Sequence, residues 1–299
     1  LAGQNRQTLD LYVANLLGTL HRYEVLPQIL GQLPDLRELL ADPESPQALS
    51  KANQLLSEIT SQTGAEVMYL VDAHGDTIAT SNWNKSDSFI GRNFAFRPYF
   101  SEAMQGKLGR FFGQGTTSGK RGYYFAAPVE VDNQKLGVLV VKVDLDHTER
   151  LWGKTPEQLL LTDSNGVVIL TSRPEWRFRS TRDLSEEERQ AIFAILPYPT
   201  RDPKPLALDP SAWLVQTQTI DETGWQANIL APRTLIDRSV RTVLAIGGAT
   251  LLVVMLLIGL MMQRRRHYLD RIAFEAKARR TLEMRVAERT SDLEGLNRR

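Results

Sequence analysis

Apolar residues recur at helical spacing through the first sixty residues and at alternate positions in much of the chain beyond them. In residues 3–30, Leu9, Val13, Leu16, Leu20 and Tyr23 share one helical face. That spacing predicts a helix which Pro27 kinks or ends, because proline lacks the donor an interior turn needs. Pro34 opens a short helix. A third runs over 46–62, with Leu49, Ala52, Leu55, Leu56 and Ile59 as its stripe and Gly64 as its stop. From residue 67 the period becomes two. Residues 67–72 read as a strand, Ala73-His74-Gly75-Asp76 as a turn, and 77–81 as the returning strand. Further strands are expected at 121–127, 136–145, 213–219 and 225–230, with a Glu/Arg-rich amphipathic helix at 184–196.

The first hairpin recurs 91 residues later. YLVDAHGDTIATS at 69–81 matches 160–172 at six of thirteen positions, among them Asp72/Asp163, Gly75/Gly166 and Thr80/Thr171. Asp and Gly are common turn residues. The later strands keep about the same interval, however, so the pattern predicts two α+β modules of one architecture. The first is expected to be a five-stranded antiparallel sheet in which 121–127 pairs with 136–145. The second carries nothing like TTSGKRG, so recognition chemistry is assigned to the first.

Residues 243–262 hold no charge, and Gln263-Arg264-Arg265-Arg266 follows. Twenty helical residues span about 30 Å, the hydrocarbon thickness of a bilayer. The arginines place the following residues in the cytoplasm. Beyond 262 the chain has eleven Lys/Arg against six Asp/Glu, and before it 25 against 29. A basic tail beside anionic lipid and a mildly acidic outer part fit that orientation. The tail shows incomplete heptads, Leu269, Ile272 and Ala276, then Leu282, Val286, Leu293 and Leu296, which predict a two-stranded coiled coil with an adjustable break between Ala276 and Leu282. With residues 1–242 outside, a leading membrane segment is expected before Leu1, and GLNRR is expected to continue beyond Arg299.

Composition narrows the chemistry. Net charge is +1, so no global field points to nucleic acid, and the absence of cysteine excludes thiol catalysis and Cys-based metal sites. His21, His74, His147 and His267 have no helical metal-site spacing, and His267 reads as a membrane-flank residue. The richest stretch is GQGTTSGKRGYY at 113–124, with four glycines and the hydroxyls of Thr116, Thr117 and Ser118. Such a loop can converge N–H and O–H groups on an anion. It is not a nucleotide phosphate loop: Gln114 stands where the first Gly would fall, and Arg121 follows Lys120 in place of Ser or Thr.

Arg97, held extended by Pro98, lies among Phe94, Phe96, Tyr99 and Phe100, where a guanidinium is placed for a bidentate hold on a carboxylate. Lys142 sits mid-strand on the face of Val138 and Val140. Two cations with donors between them complement a small dianion. At about 1.5–3 kcal/mol per charge-assisted hydrogen bond, two carboxylates could reach micromolar affinity, about −8 kcal/mol. An amino acid would want an acidic partner for its ammonium, and Asp144 is available on the Lys142 face.

These residues carry a resemblance. SNW at 81–83, SFIGRNFAFRPYF at 88–100, GRFFGQGTTSGKRGYYFAAPV at 109–129 and GVLVVKVDLD at 137–146 resemble the bacterial four-carbon-dicarboxylate sensor histidine kinases. LEMRVAERTSDLEGLN resembles the helical linker before a kinase's phosphoacceptor helices. The resemblance implies an α+β chain: a helical stalk over 1–64, tandem PAS-like (double-Cache) modules over 65–150 and 151–232, a transmembrane helix with its outer flank over 233–262 and a cytoplasmic helix over 263–299. It implies succinate, fumarate or malate as ligand, held by Arg97, Thr116, Thr117, Ser118 and Lys142, with Phe94, Tyr99, Gly119 and Tyr124 beside them. Family members often carry Tyr where this chain has Phe94. It implies a homodimer in the bacterial inner membrane and a response regulator as partner. ATP and Mg belong to a kinase part outside this stretch, and no cofactor is expected here. An acidic amino acid or other organic acid as ligand, and a chemoreceptor or cyclase output, are the alternatives. A tethered hydrolase is disfavoured by the lack of Gly-x-Ser-x-Gly, and a purely structural dimerisation module without ligand is a further alternative.

Overall fold

The computed structural model describes residues 2–132, 134–152, 157–195, 197–200 and 202–296. They fall into two compact units, Leu1–Arg233 and Thr234–Arg299. The first begins with helices α1 (Ala2–Glu24), α2 (Leu26–Leu30), α3 (Pro34–Ala41) and α4 (Pro46–Thr63). The expected stripe of α1, from Leu9 to Tyr23, is buried throughout. The helical run over 3–30 is interrupted just before Pro27, as expected. The break falls at Val25, and Pro27 sits in the first turn of α2, where its missing N–H costs nothing. Gly64 closes α4 at φ 75°, a left-handed cap that favours glycine.

Two antiparallel sheets come next. The first contains β1 (Val67–Asp72), β2 (Thr77–Thr80), β3 (Gly109–Gln114), β4 (Arg121–Val131) and β5 (Gln134–Val143) in the order β2-β1-β5-β4-β3, with α5 (Pro98–Met104) before β3. After α6 (Asp146–Trp152) the second contains β6 (Gln158–Thr162), β7 (Val168–Thr171), β8 (Trp213–Ile220) and β9 (Trp225–Pro232) in the order β7-β6-β9-β8. Helix α7 (Glu186–Ile195) precedes β8. It opens on a reciprocal capping pair, Glu188 N to Ser185 Oγ at 3.2 Å and Ser185 N to Glu188 Oε2 at 2.8 Å. Residue 196, the expected end of this helix, lies outside the described residues. Strand β5 stops at Val143, short of the expected 145, because the Asp144 carboxylate accepts from Asp146 N at 2.7 Å and starts α6.

The repeat is structural. Tyr69, Leu70 and Val71 pair with Thr80, Ala79 and Thr77, and their counterparts Leu160, Leu161 and Thr162 pair with Thr171, Leu170 and Val168. The register slips at the same step in both. Asp72 Oδ1 accepts from the amides of His74 and Asp76, and Asp163 Oδ1 from those of Asn165 and Val167, all at 2.9–3.0 Å. One apolar core joins one face of both sheets to α1, which packs on β4, β5, β8 and β9. Burying each leucine of that stripe stabilises the unit by about 1.5–3 kcal/mol.

The other unit lies within helix α8 (Arg233–Leu296), 64 residues long. A window of mean hydropathy 2.7 makes it apolar enough to cross a membrane by length and composition, and its described side chains from 242 to 286 are solvent-exposed. The helix continues unbroken through 276–282, where the heptads lapse. The side chains of Leu293 and Leu296 lie outside the described residues.

Candidate ligand site

The glycine-rich loop joins β3 to β4 at the edge of the first sheet. Its ends are tied together: Gly115 N bonds Lys120 O and Gly119 N bonds Gly115 O, both at 2.8 Å, while Gln114 Nε2 donates to Gly119 O at 2.6 Å. Gly119 has φ 66°, a left-handed conformation that L side chains rarely adopt. The closure leaves Thr116 and Thr117 facing a small cavity of about 10 Å³, the space of about one water molecule. Tyr69, Phe89, Phe94, Arg97, Tyr99 and Tyr124 form the remaining walls, with Gly115 at the rim.

Rings and hydroxyls make this a wall with polar points. Tyr99 stacks on Tyr124 with centroids 5.3 Å apart, and the hydroxyls of Tyr69 and Tyr99 are hydrogen-bonded at 2.7 Å. Burial pushes all three phenols up, so they are neutral donors and acceptors at physiological pH. Phe94 packs against Tyr69 at 5.5 Å and brings no hydroxyl to the wall.

Arg97 is 2% exposed and extended, as its place before Pro98 predicts. Its guanidinium lies over Phe96 at 4.9 Å and Phe111 at 5.2 Å. Nη2 donates to Gln114 O at 2.9 Å, and Nη1 to Ile195 O at 2.8 Å. Ile195 ends α7 of the second module. Gln114 N in turn donates to Pro197 O at 2.9 Å. Arg97 and the root of the loop are therefore both fastened to the second module.

Lys142 departs from the expected two-cation clamp. It is on the cavity-side face of the sheet, but it lies behind the wall, with Nζ 5.7 Å from the Tyr124 centroid. It is fully buried, donates to Ser118 Oγ at 3.1 Å and Lys120 O at 3.2 Å, and forms an ion pair with Glu66 Oε2 at 3.0 Å. Burial pushes Glu66 up and Lys142 down, and their mutual attraction opposes both shifts. Ser118 is thus part of the lysine's setting, and Gly119 shapes the loop. Asp144 is exposed and engaged in capping α6; the acid that partners Lys142 is Glu66.

Glu66, Tyr69 and Phe89 escaped the sequence reading. Tyr69 left one trace: it is an aromatic residue where the repeat has Leu160. Glu66 becomes visible once β1 is known to pair with β5, because Glu66 N bonds the carbonyl of Lys142 itself at 2.9 Å.

A profile described as a Cache domain matches residues 1–240, 240 of the 299 residues in the chain. The chain belongs to the Cache-domain family. It is 62% identical over 297 residues to the C4-dicarboxylate transport sensor protein DctB of Pseudomonas aeruginosa, covering 99% of this chain and 48% of that protein. It is 31% identical over 314 residues to the protein of the same name from Rhizobium meliloti, covering 98% of this chain and 50% of that one. The chain spans about half the length of these curated relatives. The Cache fold superposes on the sensor domain of the histidine kinase DctB from V. cholerae with a TM-score of 0.72 at 32% identity, over 77% of this chain and 96% of that domain. The mixed α/β Cache architecture expected from the sequence is the one observed.

Proposed function

We propose that this chain is the periplasmic sensor and transmembrane part of a two-component sensor histidine kinase, and that it binds a four-carbon dicarboxylate. The observation that carries the reading is Arg97: a buried guanidinium at the wall of a small cavity, beside two threonines and the hydroxyls of three tyrosines. A carboxylate there would meet a planar, permanently charged donor array in a site with little water to screen it. The names of the Pseudomonas and Rhizobium relatives support the ligand class. Residues 1–242 then lie in the periplasm, 263–299 in the cytoplasm, and the protein acts as a homodimer. A kinase part beyond this chain would supply ATP and Mg chemistry and meet the response regulator.

Transmission rests on the contacts the ligand groups already hold. Arg97 and Gln114 touch α7 and Pro197 of the membrane-proximal module. A ligand that redirects the guanidinium or draws in the loop changes those contacts, and β9 leads directly into α8. The test is thermal denaturation of the purified chain with succinate, fumarate and malate. At 100 times Kd a ligand adds about 2.7 kcal/mol of stability. Arg97→Ala should abolish the shift with a folded circular-dichroism spectrum. No shift of the wild type with any of the three acids, or an unchanged shift in Arg97→Ala, would sink the reading.

A further inference from the structure

Lys142 occupies a setting made for it. Its stem crosses β4 at Gly122, where a Cβ would stand 2.7 Å from Lys142 Cε and 3.0 Å from Cγ. An ammonium has three N–H donors. Three acceptors lie within reach, Glu66 Oε2 at 3.0 Å, Ser118 Oγ at 3.1 Å and Lys120 O at 3.2 Å. Ser118 Oγ and Lys120 O accept hydrogen bonds from the ammonium, and the Glu66 carboxylate stands beside it as an ion-pair partner.

We propose that Glu66 is a resident counter-anion of Lys142, which a bound dianion must displace or share, and that it thereby limits how tightly the site takes a second carboxylate. The inference rests on the dicarboxylate reading. Thr116 and Thr117, which line the cavity, directly precede Ser118, so a loop that moves for a ligand also moves the cover over Lys142. A ligand carboxylate reaching Lys142 enters a setting that already holds two neutral acceptors and one carboxylate. Ser118 and the Lys120 carbonyl are neutral. Glu66 carries the same charge as the newcomer, so the two compete for the ammonium and repel each other. Glu66 has somewhere to go: its Oε1 is already 3.9 Å from Nζ of Lys120, whose side chain is 63% exposed. Displacement therefore leaves the carboxylate near a cation and close to water.

Succinate binding to the full chain in detergent, measured by calorimetry, tests this with Glu66→Gln, Lys142→Met and the double variant. Glu66→Gln keeps the shape and removes the charge. It should bind succinate about ten-fold tighter than wild type, and the gain should vanish when Lys142 is also Met. Equal or weaker binding by Glu66→Gln, or a gain that persists without Lys142, overturns the inference while wild-type binding upholds the dicarboxylate reading. Binding by Glu66→Gln with none by wild type upholds the inference and breaks the reading; no binding by either overturns both. Should Glu66→Gln fail to fold, Glu66→Asp, whose shorter arm draws the charge back from Lys142, should show a smaller gain in the same direction.

Discussion

The two sheets start from one hairpin and end as different objects. Tyr69 and Leu160 occupy the same register position, on the same face of their sheets. Around Tyr69 the first sheet builds an aromatic wall with space inside it. Around Leu160 the second fills that face with Trp176 and Trp213, edge to face at 6.2 Å, and Arg173 lies over both rings. The first sheet also has a fifth strand, β3, which covers the edge of β4 and carries the loop. The second ends at β8, whose side chains are mostly exposed or half-buried. A duplicated scaffold has thus been divided into a hollow copy and a filled copy. Besides the apolar core they share, in which Trp225 meets Phe112 and Tyr123, a polar cluster joins them. Arg121, at the far root of the loop, is buried with Glu149 of α6 and donates to Ile169 O at 3.0 Å, while Glu149 accepts from Thr171 N at 2.8 Å and Arg177 Nη2 at 2.7 Å.

The largest way to break the comparison is to cut that junction. Glu149→Gln removes the buried carboxylate shared by Arg121 and Arg177, and leaves Arg121 with the half-exposed Asp146. Removing one partner of a buried pair costs about 3–5 kcal/mol. Chemical denaturation should show that loss, and it should split into two transitions as the modules lose their common unit. A single transition at wild-type stability would show that the modules are held by α1 and the apolar core alone. The next effect is confined to the hollow copy. Gly122→Ala drives a methyl into the stem of Lys142, and overpacking of this kind costs about 1–3 kcal/mol. Succinate affinity should fall with it. Unchanged affinity at reduced stability would separate Lys142 from the ligand.

Much of this was readable in the sequence because it is local. The helix stripes, the shared hairpin and its caps are set by residues within a few positions of one another. Arg97, Thr116 and Thr117 announced themselves through Pro98, the flanking rings and the glycines. The partners of Lys142 did not, because a β-strand's neighbours are chosen by pairing. Asp144, two residues on and just past the end of the strand, is the nearest acid in sequence, yet its carboxylate is claimed by the first turn of α6. Glu66 is 76 positions away and adjacent in space. The carbonyls of Ile195 and Pro197 could not be foreseen at all, since backbone groups leave no mark in a side-chain pattern.

A smaller effect tests whether the equivalent turns have equivalent jobs. Asp72 and Asp163 cap the same turn with the same two amide bonds. Asp163 has taken on more: Tyr198, which is buried, donates its hydroxyl to Oδ2. Asp72→Ala removes bonds from an exposed turn and should cost about 1 kcal/mol. Asp163→Ala also strands a buried phenol donor and should cost about 1–3 kcal/mol. The two should also differ with pH. Burial pushes the Asp163 carboxyl above its ordinary 3.8, against the hydrogen bonds that favour its anion. An acid raised in this way holds its proton more tightly folded than unfolded. Its contribution to stability is therefore full below 3.8 and declines as pH rises through the raised value. Asp163→Ala should remove that decline from the stability–pH curve, while Asp72→Ala leaves it in place. Identical curves for the two variants would mean that burial of the second turn does not raise the Asp163 carboxyl.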